Sequence, residues 1–483
     1  MKSYSMTDTA PLVPITGSLI MGIVAGYHYP VDELYSLMAL ATGVAIALLL
    51  YRRPRWQTAV LWLCPALLGL HLSSRQLRTV HTLPQGHDLI IASEPTDKGK
   101  TVVMDALTPD GKKVRLHIMK GGQLHVGDGI TVSRDIRPIN YYPLYFDSHG
   151  YSGEVFAGRH EWQGRQVSMS QLSHLQRTRL QLLRLRSRLT GKYRDMGLAD
   201  DSYAVIAAMT LGDKSALSAE TRDTYVVTGA SHILALSGLH LGIIYWLITL
   251  LIPGRRWRMA SQMVTVLAIW AFAFLTGLSP SVIRSAVMLT VYALLAIGYR
   301  DRASVNVLAF TALVMLVVNP LTVFDIGFQM SFLAVLGILL FHPLFYRLLP
   351  LPFLQRHLTV RWPWAMVCLS LAAQLGVAPL IAFYFHRFSC YFLLSNFIVV
   401  PCAYAILIGA LLLLLTSLAP VATCLTAIVT LMGNALGHVA HLPFASIDGL
   451  HSTLLQTVLL YAATGCLYIV LRHTVGRRQP VTD

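Results

Sequence analysis

Charged residues and cysteines are scarce in this chain. Only 13% of its 483 residues are charged and 55% are hydrophobic, which excludes a soluble globular protein of this length. All six cysteines lie in or beside apolar stretches, so neither a disulfide framework nor a Cys/His metal site is indicated. A Gly-x-x-x-x-Gly-Lys-Ser/Thr loop is also missing, and we expect no motor of that class, no cofactor and no metal. The first apolar run has no basic lead-in beyond Lys2 and no clear cleavage site, so we expect no cleaved signal peptide.

Long apolar stretches are what the chain has instead. A helix needs about 20 apolar residues to cross a bilayer, and a dozen stretches approach that length. We predict spans near residues 12–29, 34–51, 57–72, 230–252, 259–278, 281–299, 303–318, 326–342, 362–385, 390–417, 421–442 and 453–472. The sequence therefore predicts a polytopic α-helical membrane protein with about 10–12 transmembrane helices.

Basic connections alternate with acidic or neutral ones between these spans. The basic connections are residues 52–55, 255–258, 300–302 and 347–361, together with the tail from Arg472 to Arg478. The intervening connections, residues 32–33, 279–281 and 319–325, are acidic or nearly neutral, and Arg387 is the minor exception. Because cytoplasmic loops carry an excess of Lys and Arg, we predict that both termini are cytoplasmic.

The same alternation places residues 73–229 outside the cytoplasm. Short β-type runs begin at Leu89, Thr101, Val114 and Ile130, separated by turn signals such as Pro109-Asp-Gly. Four or five such strands predict a small OB-like β-barrel inserted after the third helix. Barrels of this type bind oligonucleotides in some proteins and nothing in others, so both readings stay open. The predicted domains are residues 1–78 (first transmembrane helices), 79–165 (β domain), 166–200 (basic helix), 201–474 (polytopic core) and 475–483 (cytoplasmic tail).

A basic helix is predicted after the β domain. It carries seven basic side chains and no acidic one before Asp195: Arg177, Arg179, Arg184, Arg186, Arg188, Lys192 and Arg194. Leucines spaced three or four apart predict an apolar stripe of Leu172, Leu175, Leu182, Leu185 and Leu189. One interpretation is an amphipathic helix on anionic lipid headgroups. The other is a surface that contacts nucleic-acid phosphates through arginine, and the net charge of +15 is compatible with both.

The segment from Gly229 to Gly242 places two histidines, two serines and three glycines in an apolar run. Ionisable groups at the bilayer centre cost about 2.5–3.5 kcal/mol on insertion scales, so such groups usually face a cavity, a substrate path or protein. Further polar interruptions occur at residues 211–214, 276–285, 325–332, 374–379 and 396–401. Together they predict a polar path, because broken helices at membrane depth line cavities or are buried. Each alone has a structural alternative: close helix packing, or an ion pair between Arg284 and Asp325.

Chemistry within this segment is a separate question. Ser237 and His240 are three residues apart and share a helix face, so an activated serine nucleophile is one hypothesis. No third orienting group is spaced with them, and no carboxylate completes a metal site with His232 and His240. Lining of a polar path is the favoured interpretation.

The stretch from Thr228 to Gly242 closely resembles the signature of the ComEC competence family, membrane proteins that pass transforming DNA into bacteria. Residues 211–213, 276–284 and 325–334 resemble further family elements, and the soluble segment resembles the family's extracytoplasmic domain at Val126-Gly-Asp128 and Asn140–Gly150, with its Phe146-Asp147. The candidate path-lining or motif residues are Asp213, Ser231, His232, Ser237, Gly238, His240, Thr276, Gly277, Ser279, Pro280, Arg284, Asp325, Gln329 and Gln374.

The resemblance implies a channel for single-stranded DNA in the bacterial inner membrane, in which Arg284 guides phosphates and small residues let the backbone approach the strand. It implies an extracytoplasmic DNA receptor and a cytoplasmic ATP-driven helicase or translocase as partners, with self-association a further expectation. Many members continue into a metallo-β-lactamase-like domain. This chain shows no His-x-His-x-Asp-His run, so we expect no nuclease activity of its own and a separate nuclease as partner. The alternatives are an intramembrane serine hydrolase that uses Ser237, and a lipid or small-molecule transporter.

Overall fold

The structure is a computed structural model that describes residues 10–84, 86–120, 124–167, 169–198, 200–252, 258–297 and 305–476. The basic connections at residues 255–257 and 300–302, and Arg477 and Arg478 of the tail, lie outside the described residues. The chain divides into two compact units: Met1–Arg188 with Ile248–Gln329, and Leu189–Leu247 with Met330–Asp483.

Helices account for most of the described chain. In chain order they are α1 (Leu12–His28), α2 (Glu33–Leu49), α3 (Pro54–His81), α4 (Pro143–Ser148), α5 (His174–Asp195), α6 (Asp200–Leu211), α7 (Ala219–Val227), α8 (Ser231–Leu234), α9 (Gly238–Leu251), α10 (Arg258–Leu275), α11 (Pro280–Ile297), α12 (Val305–Val318), α13 (Ile326–Tyr346), α14 (Leu351–Arg356), α15 (Leu358–Phe385), α16 (Phe392–Thr416), α17 (Ala419–Ala440) and α18 (Leu454–Gly476).

Six helical stretches of the described chain are long and apolar enough to cross a membrane: Glu33–Arg52, Ile326–Tyr346, Leu358–Phe385, Phe392–Thr416, Ala419–Ala440 and Leu454–Val475. Shorter apolar helices include α1, α9, α10, α11 and α12. Each predicted span falls on a described helix, so the protein is a polytopic helical membrane protein. One span differs: the helix predicted near residues 230–252 is interrupted between α8 and α9, because Ala235 is extended (φ −93°, ψ 130°).

The β domain is an open sheet of seven strands. These are β1 (Asp88–Ile91), β2 (Thr96–Asp97), β3 (Thr101–Leu107), β4 (Lys113–Met119), β5 (Gly129–Val132), β6 (Tyr151–Ala157) and β7 (Trp162–Gly164). They lie in the order β6-β4-β3-β1-β5-β7, with β2 paired to β3. All pairs are antiparallel except β4 with β6, which the connection through α4 makes parallel.

The four predicted strands are confirmed, but the closed OB-like barrel is wrong. In the described residues β6 and β7 each pair with one strand only, and β6 has in addition an isolated bridge from Glu154 to Arg137, so the sheet is a half-barrel. The sequence signals missed both edge strands, which lie beyond Pro138. Closure requires the two ends of the sheet to pair, and β7 has only three residues, which pair with β5.

Helix α5 covers part of this sheet, but not through the predicted stripe. Leu180 and Leu183 are buried and pack with residues of the sheet such as Ile90. Leu175 is 58% exposed and Leu185 is 42% exposed, so these two leucines face away. The stripe prediction is therefore wrong for Leu175 and Leu185, whereas Leu172, just before α5, is buried in the same cluster as predicted. Leucines occupy several faces of α5, and only contact with the sheet selects which face is buried.

Arg387, the exception to the charge alternation, is neutralised locally. It lies on β8 (Arg387–Ser389), which pairs with β9 (Ser446–Asp448). Its guanidinium group is 3.1 Å from Asp223 and 2.5 Å from Asp448. The pairing with two carboxylates explains why one arginine is found in an otherwise acidic or neutral connection.

Helices α1 and α3 pack through glycine. A Cβ atom at Gly22 would lie 1.9 Å from the carbonyl oxygen of Ala66, and one at Gly69 would lie 2.3 Å from that of Leu19. Small residues at such contacts let helix backbones approach closely within a membrane. The first and third helices therefore form a tight pair that any side chain at Gly22 separates.

The variant Gly22→Ala is expected to lower the thermal unfolding midpoint of the purified protein in detergent. Overpacking at such a contact costs about 1–3 kcal/mol. Gly17→Ala on the same helix is the matched control, because a Cβ there meets no atom within 4 Å. The control gains helix propensity and keeps or raises the midpoint. Equal midpoints for the two variants would contradict the close approach.

Candidate functional site

Asp325 organises the polar residues of the first unit. It precedes α13, and its Oδ1 accepts a hydrogen bond from the backbone N–H of Phe328 at 2.6 Å, as a helix N-cap does. Nη1 of the buried Arg284 lies 3.4 Å from the same oxygen. Nε2 of His149, from the β domain, lies 3.5 Å from Oδ2. Of the two interpretations of Arg284, the structure therefore shows the ion pair with Asp325.

The neighbouring motif residues shape the turn into α11. Thr276 donates from Oγ1 to the carbonyl of Phe272 at 3.0 Å, and Gly277 has φ +81°. The carbonyl of Ser279 accepts the N–H groups of Val282 and Ile283, and Pro280 is the first residue of α11. A Cβ at Gly277 would lie 2.8 Å from Cδ2 of Leu183, so glycine permits the close approach of α5.

Gln329 has a similar supporting role. Its Nε2 donates to the carbonyl of Val323 at 2.9 Å, which fastens the first turn of α13 to the 3₁₀ turn Pro320–Phe324.

A cavity of about 640 Å³ lies beside this cluster. The β domain and α5 contribute Lys113, Ser148, His149 and Arg179, and α10, α11 and α12 contribute mostly apolar side chains. Pro280 and Asp325 also line it. Of the predicted DNA contacts, Arg179 lines this cavity, whereas the sequence signals gave no indication of Lys113 or His149.

Two of the seven basic residues of α5 are fixed by the backbone of their own unit. Arg184 donates from Nη2 to the carbonyl of Gly127 at 2.7 Å. Arg177 donates from Nε to the carbonyl of Leu172 at 2.9 Å. These two arginines stabilise the loops around the β domain and have less freedom to contact a phosphate.

The other five fall into two groups. Arg179 and Arg186 turn inward, and the Nε atom of each is buried without a hydrogen-bond partner among the described residues. Arg188, Lys192 and Arg194 are exposed. The guanidinium group of Arg194 lies 4.3 Å from the ring centroid of Tyr203. The exposed cations that make no hydrogen bond to a backbone carbonyl in the described residues are therefore confined to the C-terminal half of α5.

A second polar cluster ties the β domain to the first helices. Asp147, in the Phe146-Asp147 motif, is buried and accepts a hydrogen bond from the Tyr27 hydroxyl at 3.2 Å. Nε2 of His81 lies 3.1 Å from the same carboxylate. This motif therefore anchors the β domain to α1 and α3.

Asp105 forms an ion pair on the sheet. Burial by itself raises the pKa of Asp105, but the Lys113 ammonium at 2.9 Å and the Tyr151 hydroxyl at 2.7 Å stabilise the carboxylate, and on balance the pKa is lowered. Burial and the charge of Asp105 raise the pKa of Tyr151, which keeps its proton to donate.

Asp105→Asn is expected to destabilise the β domain by about 1–3 kcal/mol, since it leaves the half-buried Lys113 without its partner. Because the pKa of Asp105 is lowered by folding, its contribution is present above the unfolded pKa of about 3.9 and is lost as pH falls through the folded value. Hydrogen exchange of strands β3 and β4 in the full chain measures both effects. Asp110→Asn, an exposed carboxylate, is the control; equal exchange in the two variants would contradict the assignment.

In the second unit, the signature segment forms α8, an extended break and α9. Ser237 lies at the N-terminus of α9, and its Oγ is 3.2 Å from Nδ1 of the buried His240. The backbone N–H of Ser237 also donates to that Nδ1 at 3.2 Å. A side chain three residues into a helix that accepts the N-terminal backbone N–H forms one of the two hydrogen bonds of a capping box. The Ser/His spacing therefore has a structural role.

The other predicted residues of this unit have local contacts of their own. Ser231 and His232 are exposed, and the Nδ1 of His232 is 3.1 Å from the carbonyl of Gly229. Gly238 is the first residue of α9. Asp213 is buried and accepts the N–H of Ser215 at 3.0 Å, which stabilises the turn after α6. Gln374 is half-buried within α15.

Activation of Ser237 requires a base that is free to take its proton and a group that orients the base. Nδ1 of His240 is already engaged by a backbone N–H, and Nε2 has no hydrogen-bond partner among the described residues. The serine therefore lacks the arrangement of an activated nucleophile.

We expect a fluorophosphonate probe to label the purified wild-type protein no more than the Ser237→Ala variant, because the His240 imidazole caps α9. Labelling is read by in-gel fluorescence. Ser231→Ala, which removes an exposed hydroxyl nearby, controls for non-specific reaction. A signal that disappears only in Ser237→Ala would support the hydrolase hypothesis instead.

A multi-pass helical membrane protein with a half-barrel β domain and a helix broken at a Ser/His segment is the class that these features define. The model of the family described as Competence protein matches residues 209–474, which is more than half of the chain. The chain belongs to this family.

Individual curated proteins are similar to parts of this chain. ComE operon protein 3 of Bacillus subtilis (strain 168) is 27% identical over 416 residues, covering 82% of this chain and 50% of that protein. An uncharacterized protein of Aquifex aeolicus (strain VF5) is 32% identical over 158 residues, 32% of this chain and 37% of that protein. The uncharacterized protein YcaI of Escherichia coli (strain K12) is 25% identical over 206 residues, 41% and 27% respectively. The chain thus spans at most about half the length of these curated relatives, and no solved structure matches it.

Proposed function

We propose that this protein conducts single-stranded DNA across the bacterial cytoplasmic membrane during natural competence. Membership of the competence family supports the cargo and the process. The observation that carries the proposal is the broken helix at the family signature, where α8 ends and α9 begins with polar residues inside an apolar helical unit. Non-helical backbone at membrane depth is tolerated where it is buried or lines a water-filled cavity.

Buried polar atoms around the signature support a hydrated path. Several have no hydrogen-bond partner among the described residues of the second unit: the Tyr225 hydroxyl, His240 Nε2, Ser389 Oγ, Ser395 Oγ and Asn396 Oδ1. Each such group needs an explanation, because burial without a partner costs about 1–3 kcal/mol. Water or the bases and phosphates of a passing strand supply partners of the required kind.

The geometry changes the role proposed for Arg284. Its charge is already compensated by Asp325 at 3.4 Å, so we assign it to holding α11 against the start of α13. Contact with phosphates falls instead to the exposed Arg188, Lys192 and Arg194. Sequence-independent contact with a single strand needs little more than such cations and stacking surfaces.

The proposal includes a topology and partners. We propose about 10–12 crossings with both termini in the cytoplasm and the β domain facing outward, as the charge alternation indicates. An extracytoplasmic receptor delivers the DNA, and a cytoplasmic ATP-driven helicase or translocase supplies the energy. A separate nuclease degrades the second strand, and self-association is part of the same proposal.

Deletion of the gene is expected to abolish the appearance of fluorescently labelled DNA in the cytoplasm while binding at the cell surface persists. The wild-type gene restores uptake. Asp325→Asn, which keeps an N-cap acceptor but removes the counter-charge of the buried Arg284, is expected to reduce uptake more than tenfold, since an unpaired buried charge costs about 3–5 kcal/mol.

Asp135→Asn serves as the control, because that carboxylate is 93% exposed. Immunoblotting confirms equal amounts of each protein in the membrane. Normal internalisation of labelled DNA in the deletion strain would refute the transport function.

A salt titration tests the proposed phosphate contacts. Detergent-purified full-length protein is titrated with a labelled single-stranded oligonucleotide at several salt concentrations. Three phosphate contacts predict a slope of about −2 in log K against log salt, at about 0.7 per contact. The triple variant Arg188→Gln, Lys192→Gln, Arg194→Gln flattens the slope. The control Arg134→Gln removes a cation paired with Glu161 and leaves the slope unchanged; a flat slope in the wild type removes the main physical support for DNA contact.

A further inference from the structure

The cavity of about 640 Å³ in the first unit is an apolar slot between α11 and α12. Its lining along α11 runs from Pro280 to Val291, a helical rise of about 16 Å, and along α12 from Phe310 to Val318, about 12 Å. The hydrocarbon core of a bilayer is about 30 Å thick, so one leaflet is about 15 Å deep. The slot therefore has the length of one leaflet, and its volume falls within the range of about 300–1,000 Å³ that small-molecule sites occupy.

One end of this slot is polar, and its charges do not cancel. Lys113 is paired with Asp105 at 2.9 Å. Asp325 is paired with Arg284 at 3.4 Å and approached by His149 at 3.5 Å. Arg179 lines the same end, and its Nε is buried with no hydrogen-bond partner among the described residues. The guanidinium group of Arg179 therefore has an N–H donor without a partner. Its positive charge is in excess of the two ion pairs, Lys113 with Asp105 and Arg284 with Asp325.

We propose that this cavity binds an anionic phospholipid from the leaflet on the side of the β domain. The acyl chain lies between α11 and α12, and a phosphate oxygen accepts hydrogen bonds from Arg179. Arginine suits this role because its planar group binds phosphate through two parallel donors. The aliphatic walls, which include Ile283, Val287 and Val314, match a hydrocarbon chain.

A nucleic-acid strand fits this slot less well. Single-stranded DNA is bound by stacking of successive bases on aromatic rings along a basic groove. Within the described lining, Trp270 and Phe310 are the aromatic side chains apart from His149 at the polar end, and the deeper surface is otherwise aliphatic except for Thr290, which is bonded to Trp270. The lipid is therefore the occupant that the wall chemistry favours.

Trp270 provides a reporter inside the cavity. It lines the slot, and its Nε1 donates to Thr290 Oγ1 at 3.1 Å. The full-length protein is reconstituted into phosphatidylcholine vesicles with increasing fractions of phosphatidylglycerol that carries bromine on its acyl chains. The Trp270 signal is taken as the fluorescence of the wild type minus that of Trp270→Phe, since the chain has eight tryptophans.

We expect brominated phosphatidylglycerol to quench the Trp270 signal at a lower mole fraction than brominated phosphatidylcholine does. Arg179→Gln is expected to raise the fraction required by about tenfold, the effect of losing one charge-assisted hydrogen bond. Arg134→Gln, which removes an exposed cation of the same domain, leaves it unchanged. Val287→Phe fills the slot without altering charge and is expected to weaken quenching by both lipids, which keeps the test decisive if Arg179→Gln fails to fold.

Equal quenching by the two brominated lipids, or quenching that Arg179→Gln leaves unchanged, would overturn the proposal. A single-stranded oligonucleotide provides the competing arm. If it relieves the quenching of Trp270 and the two lipids do not differ, the cavity is a nucleic-acid subsite and the lipid assignment is wrong.

Discussion

The carboxylate of Asp325 is the interaction on which the first unit depends most. One oxygen caps α13 and contacts Arg284 of α11, and the other faces His149 of the β domain. Helix α11, helix α13 and the β domain, which are distant in the chain, are thereby held together at one carboxylate. A buried charge is tolerated only when its partners are fixed, because an unpaired one costs several kcal/mol. The family motif around residue 325 therefore has a structural role.

The family signature and the further family motifs differ in backbone structure. In the first unit Thr276, Gln329 and Asp325 each have a stated partner, whereas Nε of the motif residue Arg284 is buried without one among the described residues. In the second unit the Ser/His segment breaks a helix, and buried polar atoms around it lack partners among the described residues. A buried polar atom without a partner in the protein needs an explanation, such as contact with water or a ligand. The break in the helix at the signature is why the proposed path follows the second unit's segment.

Much of the fold was predictable because it rests on local patterns. Apolar length placed the helices, and β-type runs with turn signals placed β1, β3, β4 and β5. The half-barrel was not predictable, since β6 joins β4 in parallel, a pairing that no local signal encodes. The buried face of α5 was mistaken for the same reason: leucines surround the helix, and only the sheet decides that Leu183 is buried and Leu185 is not.

Some contacts of the candidate site were likewise predictable from local sequence patterns, and others were not. Arg284 and Asp325 were recognisable as a pair because two opposite charges in apolar sequence need each other. The inward orientation of the Arg179 side chain could not be predicted from the sequence, because its neighbours Lys113 and His149 come from a different part of the chain. The Ser237–His240 contact was foreseeable from spacing, but its use as a helix cap depends on the break before α9, which propensity did not reveal.

The anchoring of Asp147 has a mechanical consequence. Because Tyr27 and His81 hold this carboxylate, the β domain is clamped to the ends of α1 and α3, which are themselves packed backbone to backbone at Gly22. A force applied to the β domain is therefore transmitted directly to a tightly packed pair of helices, and no flexible linker absorbs it. The β domain and the membrane helices of its unit therefore move together.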